Sequence, residues 1–292
     1  MVGILLTRGM LVGFVAGLLC FGFLRLVGEP QVDRAIAFES AMEAKEKPSA
    51  GPSQHDHSAH DHSMHDHSAH DHSAHDHSAH DHSAPVAPKS EEMPKDEPEE
   101  LVSRSTQAGL GLFTGVTVYN TAFGGLFALV FALAYRRMGD FDARTTSALL
   151  AICGIIAVYF VPILKYPANP PAVGNPETLG MRTAFYFAMI AISLAAMIAA
   201  WMLRNRLVQR YGGWNAALIA STAYFIVVIG VALALPDVSE VPDEFPAVVL
   251  WQFRIASAGA QVIMWTTIGL AFGALAERAE GSRNFLRLKT AR

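Results

Sequence analysis

Long apolar stretches, repeated along the chain, limit the possible folds more than any other feature of this sequence. Crossing a hydrocarbon layer about 30 Å thick requires about 20 apolar residues of helix, because each residue rises about 1.5 Å. Soluble core helices are usually shorter and rarely repeat in this way. The sequence therefore predicts an all-α membrane protein. Its six predicted transmembrane helices cover residues 4–27, 108–135, 146–164, 183–203, 214–235 and 255–275.

The first stretch also has the length of a secretory signal peptide, and Arg8 lies near its start. Small-residue cleavage spacing is absent before Gly28, and the leucines that precede Cys20 match a lipoprotein site poorly. We therefore predict a retained helix. The predicted organisation is a first transmembrane helix (1–27), a disordered outward loop (28–107), a five-helix transmembrane bundle (108–276) and a basic cytoplasmic tail (277–292).

The distribution of basic residues predicts the orientation of the chain. Lys and Arg near membrane helices favour the cytoplasm. In a six-helix arrangement, two loops and the C-terminal tail fall on one side and hold eleven basic residues: Arg136, Arg137, Arg144, Arg204, Arg206, Arg210, Arg278, Arg283, Arg287, Lys289 and Arg292. Both termini are therefore predicted to be cytoplasmic, with the loop at 28–107 outside. In a Gram-negative cell this describes a multi-pass inner-membrane protein with a periplasmic loop.

Polar chemistry is concentrated in that loop. It holds 17 of the 26 acidic residues between Glu29 and Glu100, and all 12 histidines of the chain. From residue 55 to residue 84 the pentapeptide HDHSA occurs six times, with Met64 replacing the final alanine once. Such a polar repeat between proline-containing flanks cannot bury a core, which predicts disorder.

Imidazole nitrogen is a common ligand of zinc, nickel, cobalt and copper, and a flexible chain can bring several rings around one ion. We therefore predict that the repeat binds divalent metal, including Ni²⁺ or Zn²⁺, with moderate affinity and poor selectivity. The alternatives are a harmless tandem expansion and an engineered purification device. The predicted ligands are His55, His57, His60, His62, His65, His67, His70, His72, His75, His77, His80 and His82.

Few polar side chains lie inside the predicted helices, where such groups usually face the bundle interior or a water-filled path. Tyr119, Asn120 and Gln261 are the candidates for a metal pathway, although the two amides could instead join neighbouring helices. The methionines and the two cysteines, Cys20 and Cys153, are interpreted as packing residues.

The segment KYPANPPAVGNPET, residues 165–178, contains four prolines, which exclude a regular helix. It is interpreted either as a rigid outward cap or entrance, or as a simple proline-rich turn. Its polar candidates for the pathway are Lys165, Asn169, Asn175, Glu177 and the following Arg182.

Three segments carry a resemblance to a known family: GEPQVDRAIAFE after the first helix, KYPANPPAVGNPET, and VPDEFPAVVLWQFR before the last helix. With them the chain resembles the CbtA family, the probable membrane subunit of a cobalt transporter, over about residues 1–39 and 101–278. The resemblance implies that Co²⁺ is the substrate, taken up for cobalamin synthesis. It also implies a small histidine-bearing membrane partner, CbtB. It assigns no residue a catalytic role.

The functional prediction is a subunit of a cobalt or nickel uptake transporter whose histidine repeat at residues 55–84, here called the arm, concentrates metal for inward passage. A membrane metal buffer or sensor that does not conduct is the alternative. An enzyme is disfavoured, because no triad or paired carboxylates occur in the bundle and every histidine lies in the arm. No catalytic cofactor and no nucleic-acid partner are expected. Since no nucleotide-binding GxxxxGK[ST] loop is present, energy would come from a partner or an ion gradient.

Overall fold

The computed structural model describes residues 2–46, 102–171, 173–174, 176–238 and 240–279. Most of these residues are helical, and no strand occurs among them. Short π-helical turns join several of the α-helices into longer rods. The α-helices are α1 (Val2–Phe23), α2 (Glu29–Glu46), α3 (Arg104–Thr106), α4 (Leu112–Ala134), α5 (Ala143–Ile155), α6 (Val161–Lys165), α7 (Pro176–Ala234) and α8 (Ala247–Thr267).

Within the described ranges, five helical rods are long and apolar enough to cross a membrane. Their apolar side chains are widely exposed: Leu26, Leu164 and Leu233 each expose about four-fifths of their surface. Such exposure is expected where lipid is the solvent and is costly in water. The rods are Val2–Lys45, Arg104–Ala134, Ala143–Lys165, Glu177–Ala234 and Ala247–Ala279.

The rod of α7 is a hairpin. A straight helix of its 59 residues would extend about 88 Å, almost three times the hydrocarbon thickness. Gly212 interrupts it with φ 75° and ψ 165°, a conformation that glycine adopts without a steric penalty. The Ser193 and Tyr224 hydroxyls lie 2.7 Å apart on opposite sides of this break. The first arm (176–211) and the second arm (213–234) therefore fold against each other. The first arm contains the predicted helix at 183–203, and the predicted helix at 214–235 ends one residue beyond the second arm.

Helices α1 and α4 approach each other unusually closely. A Cβ atom placed on Gly13 would lie 2.2 Å from the Asn120 carbonyl oxygen, and one on Gly9 would lie 2.3 Å from that of Gly124. Further along α1, Gly17 faces Thr117. Because residue numbers rise along α1 while their partners' numbers fall, the two helices are antiparallel. Small residues spaced four apart allow this backbone contact.

The beginning of α5 is fixed by its N-cap. The Asp142 carboxylate accepts a hydrogen bond from the backbone N–H of Thr145 at 2.9 Å, which satisfies a donor that the helix leaves open. Hydrogen bonds from Thr145 lower the pKa of the Asp142 carboxyl below its ordinary value. The turn after α4 thus ends in a charged N-cap residue, Asp142, at the same end of the bundle as Arg144.

The predicted boundary of the loop between the first two helices is wrong. A disordered loop was expected from residue 28, but a π-helical turn (Leu24–Gly28) carries the rod directly into α2, which ends at Glu46. Residues 104–107, at the other end of the predicted loop, are also helical. Helix α2 is polar and has little apolar surface of its own, so its packing against other segments explains why it is helical.

Candidate functional site

The three segments that carry the family resemblance meet at one end of the bundle. Ala35 of α2 is completely buried against Val173 and Phe245, which belong to the other two segments. The rings of Phe38 and Phe245 make an edge-to-face contact, with centroids 5.1 Å apart. We call this assembly the cap and define it as the described residues of 29–46, 165–182 and 235–254.

A buried ion pair lies at the centre of the cap. The Arg182 guanidinium donates to the Glu240 carboxylate at 2.5 Å, and the Thr178 hydroxyl donates to the other carboxylate oxygen. Only 3% of the Glu240 side chain is exposed. Because a buried carboxylate needs charge compensation and hydrogen bonds, this cluster joins the segment after α7 firmly to the start of α7.

Further contacts join the proline-rich segment to the segment after α7 and to α8. Lys165 forms an ion pair with Asp237, and the Tyr166 hydroxyl donates to the Pro236 carbonyl at 2.9 Å. Burial raises the pKa of the Tyr166 hydroxyl, so it remains a donor. From α8, the Arg254 guanidinium donates to the Asn169 side-chain oxygen at 3.1 Å and to a neighbouring carbonyl. The proline-rich segment is therefore a packed part of the cap.

The chain returns to the bundle beside α2. Arg104, which precedes α4, forms ion pairs with Glu29 at 2.5 Å and with Asp33 at 2.9 Å. One turn along α2, Arg34 donates to Gln252 at the start of α8 at 3.0 Å. Both described ends of the long loop, α2 and the residues around Arg104, therefore attach to the cap.

A cavity of about 290 Å³, the cap cavity, lies directly against the cap. Its lining is polar, and within it the Tyr159 hydroxyl lies 3.3 Å from the Ser257 hydroxyl. The Arg182 side chain also faces this space, with its charge balanced by Glu240. The lining residues are Tyr159, Ile163, Tyr166, Pro167, Ala168, Arg182, Thr183, Tyr186, Ser257 and Gln261.

A second cavity, also of about 290 Å³, lies between α1, α4 and α8, and we call it the Cys20 cavity. Gln261 lines both cavities, so its side chain stands between them. Along α8, Gln261 lies about 10 Å from Arg254 and Met264 lies about 15 Å from it, which places this cavity deeper in the helical bundle. Its lining is Cys20, Leu24, Gly115, Val116, Tyr119, Asn120, Ala260, Gln261 and Met264.

Beyond the Cys20 cavity the bundle is filled by aromatic rings. Phe123 and Phe127 of α4 make edge-to-face contacts with Trp265 at centroid distances of 5.0 and 6.5 Å. Phe272 continues the stack against Phe127 and Phe131. At the far end, the Arg8 guanidinium donates to a carbonyl of the last helix, and Arg144 pairs with Glu277 at 2.5 Å. The bundle is therefore filled by side chains at the end opposite the cap.

The structure separates the predicted pathway residues into two groups. Tyr119, Asn120 and Gln261 line the Cys20 cavity, and Arg182 lines the cap cavity. The others are placed differently. Lys165 and Asn169 are engaged in contacts of the cap, Glu177 is exposed in the first turn of α7, and Asn175 and all twelve histidines lie outside the described residues.

Several residues of the site were not predicted. Glu240 and Asp237 were seen only as acids of an outward segment, although the matching bases Arg182 and Lys165 in the facing loop are a signal that could have paired them. Cys20 was interpreted as packing, yet it lines a cavity with two amides. Among the described residues, no group of three His, Cys, Asp or Glu side chains is close enough together to hold a metal ion.

A family model matches residues 2–277 of the chain, which is nearly its whole length. The family is CbtA, described as a probable cobalt transporter subunit. This chain belongs to the CbtA family. Comparisons with curated proteins and with solved structures gave no match.

Membership in the CbtA family agrees with the architecture. The chain is a multi-pass membrane protein with five long apolar helical rods in its described part, and it belongs to a family of transporter subunits, which implies further subunits. In a cobalt transporter the ion is the cargo, so the two cavities, whose linings include polar side chains, are the places to consider for its passage.

Proposed function

We propose that this chain is the membrane-embedded subunit that conducts Co²⁺ inward, with Ni²⁺ as the alternative cargo. The observation that carries the proposal is the pair of adjacent cavities between the cap and the aromatic stack, in a chain of the CbtA family. Polar groups inside a membrane bundle are costly and usually mark a path for an ion or a substrate. A small histidine-bearing partner of the CbtB type would complete the transporter.

The proposed topology has six spans in an inner membrane, with both termini in the cytoplasm and the cap in the periplasm. The hairpin at Gly212 supports six spans, because each of its arms is long enough to cross hydrocarbon. The eleven basic residues on one side in this arrangement support the orientation. Cysteine labelling or reporter fusions in the segment 55–84 would test it, and a cytoplasmic position would contradict inward delivery from the arm.

The proposed transport is tested by purifying the chain and measuring radioactive cobalt flux into proteoliposomes, with and without a CbtB-type partner. An inward flux that saturates with cobalt is expected. Binding without flux in both preparations would favour the second candidate, a membrane metal buffer or sensor, for which the repeat of 12 histidines is the supporting observation.

Deleting residues 55–84 should raise the external cobalt concentration needed for half-maximal uptake and leave the maximal rate nearly unchanged. The reason is that the proposed arm raises the local metal concentration outside the membrane and does not form the path. Uptake is measured against cobalt concentration in cells. A matched variant keeps the length and replaces all 12 histidines by glutamine, which separates the loss of ligands from the shortening of the loop. Complete loss of uptake at saturating cobalt would contradict this proposal.

Metal binding by the arm should weaken between pH 7.5 and pH 5. Imidazole has an ordinary pKa of about 6.5, and a proton on the ring nitrogen displaces the metal. At pH 5 only about 3% of such rings are unprotonated, so a site with two imidazole ligands should lose far more than tenfold in affinity. Isothermal titration of the full-length protein with Ni²⁺ measures this, and the glutamine-arm variant gives the background. Equal affinity at the two pH values would exclude imidazole as the main ligand.

A further inference from the structure

The Cys20 cavity brings together side chains from three helices whose atoms can all bind a borderline divalent metal. Cys20 on α1 supplies a thiol, Asn120 on α4 an amide oxygen, and Gln261 and Met264 on α8 an amide oxygen and a thioether. Sulfur and nitrogen or oxygen donors of this kind suit late first-row ions such as cobalt better than they suit magnesium or calcium. The cavity volume of about 290 Å³ leaves room for an ion with some of its water.

The side-chain oxygen of Asn120 can accept a further hydrogen bond or bind a cation. Its residue is 3% exposed, and its side-chain amide N–H donates to the Val116 carbonyl at 2.8 Å. Among the described residues, the amide oxygen accepts from the Cys20 sulfur at 3.9 Å, and a thiol is a weak donor at such a long distance. A buried carbonyl oxygen satisfied this poorly is unusual, and a bound cation would satisfy it.

Cys20 is held in a defined position. Its sulfur lies 3.3 Å from the Ala260 carbonyl of α8, and its residue is 2% exposed. The thiol therefore bridges α1 and α8 at the level of Gln261 and beside Asn120. A packing role alone does not require two polar contacts to different helices.

From this geometry we infer that the Cys20 cavity is an intramembrane transit site for Co²⁺, formed by Cys20, Asn120, Gln261 and Met264. The inference rests on the proposed transport function and assigns its internal binding site. The ion comes from the cap cavity past Gln261, which lines both spaces, and the aromatic stack at Trp265 stops it from passing further in this conformation. Mostly neutral ligands hold a conducted ion weakly enough for it to leave.

Binding at Cys20 involves a proton but no change of oxidation state. The S–H bond breaks, the sulfur lone pair forms a bond to Co²⁺, and the proton passes to water in the cavity. Cobalt remains divalent, and the net charge of the site rises by one. The thiolate–cobalt bond gives a near-ultraviolet charge-transfer absorption, which reports directly on this sulfur.

The two cysteines of the chain make the test selective. Cys153 lies in a different cavity, beside Trp201 and Tyr224, away from the proposed ligands. In the full-length protein with the glutamine arm, Cys153→Ser leaves Cys20 as the thiol, and Cys20→Ser leaves Cys153. We expect added Co²⁺ to produce the charge-transfer band and to slow maleimide labelling in the first protein but not in the second.

Two further substitutions test two of the three other ligands, Met264 and Gln261. Met264→Leu conserves volume and should weaken cobalt binding at Cys20 by about tenfold or more, since loss of a direct ligand should cost at least as much as loss of an outer-shell partner. Met189→Leu is the matched control, because Met189 is equally buried but packs between the arms of α7. Gln261→Leu should likewise weaken binding.

The outcomes separate this inference from the proposed function. Cobalt flux through the wild-type protein without a band or protection at Cys20 would overturn the transit site and leave transport standing. A band and protection without any flux would support the site as a binding site and count against transport. Equal effects of cobalt on Cys20 and Cys153, or equal weakening by the two methionine substitutions, would also overturn the inference.

Discussion

Replacing Gly13 with leucine should prevent α1 from packing on α4 and should remove most folded protein from the membrane. The Cβ of any side chain at this position would lie 2.2 Å from the Asn120 carbonyl oxygen and 3.0 Å from the Thr121 Cα. These are backbone atoms of a helix, so they cannot rotate away as a flexible side chain can. At the same crossing, a Cβ added to Gly9 would lie 2.3 Å from the Gly124 carbonyl oxygen, so the helices have little room to shift together.

The size of this effect is set by overpacking. Adding a methyl group to a closely packed contact usually costs about 1–3 kcal/mol, so Gly13→Ala should already lower the thermal stability, and leucine should exceed that cost. Gly22→Leu is the matched control on the same helix, because an added Cβ at Gly22 meets nothing within 4 Å. The measurements are the yield of monodisperse protein in detergent and its unfolding temperature. Equal stability of the two leucine variants would show that the close crossing is not required.

The helical rods were the most predictable part of the fold. Apolar length alone predicts them, because lipid leaves the backbone no hydrogen-bonding partners and a helix satisfies its own donors and acceptors. The pair of glycines at residues 212 and 213 also marks the break between two predicted helices, where the structure has φ 75° at Gly212. Length, charge and turn chemistry are local properties, so the sequence expresses them directly.

Helix α2 could not be predicted in this way. Its sequence is polar and contains Pro30, which normally ends a helix because it has no N–H to donate. In the structure the π-helical turn from Leu24 to Gly28 precedes the proline, and the Glu29 N–H reaches back five residues to the Leu24 carbonyl. The helix is then stabilised by the contacts of Ala35 and Phe38 with the cap. Contacts between distant segments decide its structure.

The polar residues of the site were predictable one at a time but not as a group. Asn120 and Gln261 can each be identified from the sequence as candidates, because an amide inside an apolar helix is unusual. Their position around one cavity with Cys20 depends on the rotation and register of α1, α4 and α8, and the glycine contacts of α1 determine only the crossing of α1 with α4. A pattern within a single helix contains no information on that register.

Glu240→Gln should loosen the cap and should sharply reduce cobalt uptake. The substitution keeps the shape of the side chain but leaves the Arg182 charge without its partner, in a position where only 22% of that side chain is exposed. Removing one partner of a buried pair typically costs about 3–5 kcal/mol, and the partial exposure of Arg182 places the expected loss near the lower limit. Since Arg182 also lines the cap cavity, its uncompensated charge would repel an entering cation.

Asp237→Asn is the control for this prediction, because it removes the other carboxylate that pairs with a base of the same loop. The Lys165 side chain is only 12% exposed, but the Asp237 carboxylate is 93% exposed, so water screens this pair, and a smaller loss than for Glu240→Gln is expected. The double variant Glu240→Gln/Arg182→Leu removes the uncompensated charge as well, and it should regain part of the lost thermal stability. Unfolding temperature in detergent and cobalt flux in proteoliposomes measure both effects. If Glu240→Gln and Asp237→Asn behaved alike, the buried pair would not be what holds the cap closed.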